Sequence, residues 1–193
     1  MASLGARTAR ILAGSLLTGC VFGGNPTPSG QTEPQHYEHK GLSFAYPSSW
    51  HAQRYEFVST FFAALVYLSN QPMRPPCTTT TNDQETSISC GRPVRELQPG
   101  GIVAWWGAGG MPTWRFQDQS GSPMRVSGRA AKISISSPGT CQDIGASESI
   151  TVIVQRPRIP DNYFAFTACL KGPDIEVLEH QARAVIDSTV LPR

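Results

Sequence analysis

The hydrophobic period of this chain changes at Gly172-Pro173-Asp174, and that change decides its fold class. Beyond it, Ile175, Leu178, Ala182, Val185, Ile186 and Thr189 recur at three- and four-residue spacing, while Glu176, Glu179, His180 and Arg183 fall opposite. That is the pattern of an amphipathic helix. Gly-Pro-Asp is a helix-start signal, and Glu176 in the first turn suits the helix dipole. A helix with one apolar stripe must lay it on another element, and the folded part before it reads as strands joined by turns and loops. The expected class is α+β: an antiparallel β-sheet covered by helices, with a C-terminal amphipathic helix.

The strands are read from alternation and from apolar runs. Leu42 to Tyr46 alternates large and small residues, Pro47-Ser48-Ser49 turns the chain, and Trp50 begins the next extended stretch. Phe61 to Leu68 is apolar without a turn residue, as a central strand would be. Asn70 to Gly101 reads as a long polar loop. Ile102 to Trp106 is a further strand, followed by the loose-looking Gly107-Ala108-Gly109-Gly110. Arg129 to Ser136, Ile150 to Gln155 and Tyr163 to Leu170 complete the set, separated by turns that suit antiparallel hairpins.

The N-terminus carries an address. Arg7 and Arg10 precede a short apolar run, Ile11 to Leu17, which ends in Leu17-Thr18-Gly19-Cys20. The run is far shorter than the ~20 residues needed to span a bilayer. A charged start, a short apolar middle and small residues before the cut form an export signal. With leucine at −3 and cysteine directly after the cut, the segment resembles the signal peptide and lipobox of bacterial lipoproteins. The resemblance implies that residues 1–19 are removed and that Cys20 carries diacylglycerol. The protein would then sit on the extracytoplasmic face of the cell membrane, held by acyl chains on Cys20. Residues 20–40, rich in Gly, Pro, Ser and Thr, read as a flexible tether, and 41–193 as a single domain.

The chain has 16 Lys and Arg against 14 Asp and Glu. The leader removes Arg7 and Arg10 and no acid, so the mature chain is neutral and offers no overall basic charge for nucleic acid. Arginine far outnumbers lysine, and alanine, glycine and proline are abundant, as in a GC-rich, for example actinobacterial, genome. Setting Cys20 aside leaves Cys77, Cys90, Cys141 and Cys169. An even number in an exported chain points to two disulfides. Three pairings are formally open; the preferred one joins Cys77 to Cys90, stapling a polar loop, and Cys141 to Cys169, each worth about 3 kcal/mol by chain entropy. No C-x-x-C spacing supports a zinc site.

Phe44-Ala45-Tyr46-Pro47-Ser48-Ser49-Trp50 has the form F-x-x-P-x-x-W. Later come Ser127-Gly128-Arg129-Ala130, a strand pair, Ala168-Cys169-Leu170 and the closing helix. In this order, from about Gly41 to Leu191, the chain resembles the Mog1/PsbP-like fold. The resemblance implies a sheet–helix sandwich. It implies little about activity, because members of that fold serve as photosystem subunits, small-GTPase binders and bacterial lipoproteins.

No reaction is announced. Gly145-Ala146-Ser147-Glu148-Ser149 lacks the closing glycine of a nucleophile elbow, and the zincin, P-loop and dinucleotide motifs are missing. His36 and His39 fall in the expected tether, His180 on the outer helix face, and His51 beside Trp50. His36-Tyr37-Glu38-His39, with Glu33 nearby, reads as solvated linker rather than a metal grip. The suggestive cluster is Trp105, Trp106 and Trp114, with Phe116, around the glycines. Trp105 and Trp106 must point to opposite sheet faces. Either both faces are packed and the rings are core, or an exposed ring stacks on a sugar or receives a partner side chain. The expectation is therefore a non-catalytic, lipid-anchored binding or accessory module without a cofactor. Its partner would be an envelope protein or a glycan, and its candidate surface Trp105, Trp106 and Trp114. The alternatives are a small cell-wall hydrolase and a carrier of a small ligand or glycan.

Overall fold

The computed structural model describes residues 33–55, 61–81, 86–156 and 161–193; the leader, Cys20 and most of the expected tether lie outside them. The strands are β1 (Gln35–His39), β2 (Leu42–Tyr46), β3 (His51–Gln53), β4 (Phe62–Ser69), β5 (Cys77–Thr81), β6 (Thr86–Cys90), β7 (Ile102–Gly110), β8 (Ser122–Val126), β9 (Arg129–Ser136), β10 (Glu148–Gln155) and β11 (Asn162–Leu170), and the helix is α1 (Ile175–Asp187). Seven strands form one sheet in the order β3-β4-β7-β11-β10-β9-β8. Every pairing in it is antiparallel.

The middle of the sheet is covered on both faces, which is why β4 and β7 read as apolar runs. On one face, Leu178, Ala182, Val185 and Ile186 of α1 and Leu42, Phe44 and Tyr46 of β2 pack over Trp106, Ile150, Val152 and Phe166. On the other, Val94 and Leu97, together with Cys141 and Ile144 of a 3-10 turn (Gly139–Ile144), cover Tyr67, Val103, Trp105 and Cys169. The expectation of cover by helices is thereby corrected. Among the described residues there is one α-helix, sharing one face with the β1–β2 hairpin, while coil and a 3-10 turn cover the other.

Both preferred disulfides are present. Cys77 and Cys90 face each other across β5 and β6. Cys169 of β11 bonds Cys141, which lies on the 3-10 turn and pins it to the sheet.

Four local expectations are corrected. The polar stretch 70–101 contains the β5–β6 hairpin, whose threonines have strand propensity but whose side chains are almost all exposed. Gly107 to Gly110 are strand and not loose: a Cβ at Gly107 would lie 2.1 Å from the Phe62 ring, and one at Gly109 2.6 Å from the Tyr163 ring. Glycine is needed there because neighbouring aromatic rings lie across the strand. The sheet also has an edge strand, β8, hidden in the sequence by Pro123, which an edge tolerates. Finally, the folded part begins before Gly41. Residues 35–39, read as tether, form β1, which pairs with β2 along its length.

Chain ends and turns are locked together. Ser43 and Val190 exchange two backbone hydrogen bonds of 3.0 and 2.8 Å, carrying the residues after α1 alongside β2. The Leu191 N–H donates to Ser127 Oγ at 3.2 Å, and the Arg129 guanidinium donates to the carbonyls of Leu191 and Pro192.

Candidate functional site

The site grows from the turn at Lys40-Gly41. Both residues have positive φ, 48° and 79°, the geometry of a two-residue primed hairpin turn, which glycine supplies at its second position. The turn sets the register: Tyr37 opposite Phe44 and His39 opposite Leu42. Side chains two apart share a strand face, so Tyr37 and His39 continue the face on which Leu42 and Phe44 enter the core. The Tyr37 ring stacks on Phe44 with centroids 4.9 Å apart.

Opposite them, β4 carries a bulge. Ala64 pairs with Gly107 and Val66 with Trp106, leaving Leu65 as the extra residue. A bulge re-aims side chains and is frequent beside binding sites. The small Ala63 and Ala64 leave space there. The result is a cleft of about 350 Å³ walled by the hairpin, β4, Arg54, Tyr55 and Pro192. That volume lies within the usual range for small-molecule sites.

Its chemistry is uneven in a useful way. Leu42, Ala63, Ala64, Leu65 and Pro192 give apolar walls, Lys40 and Arg54 bring two cations, and among the described residues no carboxylate lines it. Among the described residues neither Lys40 nor Arg54 is held in an ion pair. Tyr37 Oη and His39 Nε2 are shut off from solvent and have no hydrogen-bond partner among the described residues. A buried polar atom left unmatched costs about 1–3 kcal/mol. Both residues line the cleft, with these two atoms turned away from its open space.

Burial raises the Tyr37 phenol above its ordinary value, against the opposing pull of Arg54, so it stays a neutral donor. Desolvation, then the charges of Arg54 and Lys40, hold the His39 imidazole below its ordinary value. Bringing negative charge into the cleft would relieve that mutual repulsion.

The tryptophan surface is corrected. Trp105, Trp106 and Trp114 are 6, 0 and 8% exposed. Trp105 lies in the core under the coil and Trp106 in the core under α1, because both faces of β7 are packed. Trp114 stacks on Tyr163 at 4.6 Å. None offers an open ring face of the kind a sugar would need.

The histidines do not converge. His51 on β3 and His180 on α1 are exposed, and in β1 His36 and Glu38 face away from His39. The lipid-anchor residue, Cys20, lies outside the described residues.

One further carboxylate is perturbed. Glu148, at the start of β10, is raised above its ordinary value, first by burial and then by Glu179, with Arg183 opposing. Its Oε1 has no hydrogen-bond partner among the described residues.

Compared with protein-family models and with curated proteins, the chain matches none.

Proposed function

We propose that this chain is a lipid-anchored protein of the cell envelope that works by binding, and that its ligand is a small molecule held in the cleft between the β1–β2 hairpin and β4. The anchor reading rests on Leu17-Thr18-Gly19-Cys20. The binding reading rests on the cleft, above all on the meeting of its apolar walls with Lys40 and Arg54, neither held in an ion pair among the described residues. It favours the carrier over contact through tryptophans, whose rings are taken up in packing. A hydrolase would need converging acids and bases; the cleft offers apolar wall and cations instead.

We read the fold as a Mog1/PsbP-like sandwich. Its F-x-x-P-x-x-W residues support this: Phe44 and Trp50 are core residues, and the Trp50 N–H closes the turn on the Pro47 carbonyl at 2.9 Å.

The test is occupancy. Native mass spectrometry of the full-length protein, gently extracted from its membrane, should show a bound small molecule. Ala63→Trp, which fills the cleft at a half-buried position, should lose it while melting as the wild type does. Undiminished occupancy in that variant would place the ligand elsewhere.

A further inference from the structure

The cleft's electrostatics specify more than its size does. Among the described residues its lining contains two cations and no acid, together with a neutral phenol and an imidazole. Cations held in no ion pair are stabilised by a ligand that brings negative charge. The guanidinium of Arg54 presents a planar fork that matches an oxyanion in two hydrogen bonds, and Lys40 adds a point charge from the tip of the turn. The remaining walls, from Leu42, Leu65, Pro192 and the alanines of β4, have nothing to offer a polar tail. They suit hydrocarbon.

We propose that the cleft takes a small amphiphile with one oxyanionic head, a carboxylate or a phosphate monoester, and a short apolar tail. This rests on the reading of the cleft as a small-molecule site. The head lies between Arg54 and Lys40, and the tail lies along β4. A neutral amphiphile of equal tail leaves the cations unmatched and binds more weakly.

Calorimetric titration of the full-length protein with octanoate, octyl phosphate and octyl β-glucoside tests this. At least one of the two anions should bind ten-fold or more tightly than the glucoside, and which anion leads identifies the head. Arg54→Gln should lose about ten-fold in affinity for that anion and little for the glucoside, with Lys40→Gln acting in the same direction. Both side chains lie at the cleft margin, and unchanged melting temperatures would show that the variants fold. Equal binding of all three probes, unaltered by Arg54→Gln, overturns the charge assignment and leaves the cleft as a neutral-amphiphile site. Binding by none overturns the small-molecule reading together with it. Equal binding by the cleft-filled Ala63→Trp variant shows that the anion sits elsewhere and also overturns the proposal.

Discussion

Glu148 shows how a single side chain sets a dependence on pH. Its carboxyl is raised above the ordinary value of 4.5 by burial and by Glu179. The folded state therefore holds its proton more tightly than the unfolded chain does. Well below 4.5 both states are protonated and the burial costs nothing; as pH rises through the raised value, the folded state must carry a desolvated carboxylate. Glu179 itself is paired with Arg183 at 2.7 Å. Glu148→Gln is neutral at every pH. Its melting temperature should exceed that of the wild type at pH 7, and the gain should vanish near pH 4. A gain of equal size at both values would mean that the charge is not the cause. The same scale explains why the site was hard to read. Tyr37 and His39 sit in Gln-His-Tyr-Glu-His, which lacks the apolar alternation that marks a half-buried strand. Only pairing with β2 reveals that two of these residues face inward.

Among the elements, legibility follows burial. The runs behind β4 and β7 are apolar because both sheet faces are covered, and α1 announces itself by its period. The β5–β6 hairpin has neither signal, being exposed almost throughout, and β8 is an edge strand interrupted by proline. The cleft arises from a turn, a bulge and two alanines distant in sequence, and no local pattern encodes their meeting. The disulfides differ in consequence for the same reason. Cys141–Cys169 ties the 3-10 turn over a core strand, across a separation of 28 residues. Replacing both cysteines by alanine should cost about 3 kcal/mol of unfolding free energy in urea. Cys77–Cys90 closes a hairpin that belongs to no larger sheet. Such a hairpin can fray while the core stays folded, so replacing that pair should move the urea midpoint far less. Equal losses would show that the hairpin is part of the cooperative unit.

The whole molecule joins a proposed anchor to a proposed binding domain. With the leader gone the chain is neutral, since Arg7 and Arg10 account for the formal excess of +2. On the proposed anchoring, membrane attachment would depend on the acyl chains, each buried methylene contributing about 0.8 kcal/mol. Cys20→Ser should move the protein from the membrane to the soluble fraction, or leave it unprocessed; a correctly cleaved variant that still sediments with membranes would refute the anchor. The domain's own task is a separate question. On the proposed reading its answer lies at the cleft, where position and charge can be read in one titration. Octanoate added to isotopically labelled full-length protein should shift the NMR signals of Tyr37, His39, Lys40 and Arg54 together, at one common dissociation constant. Shifts absent from these four residues, or centred instead on the exposed Phe61 and Met111, would contradict the account.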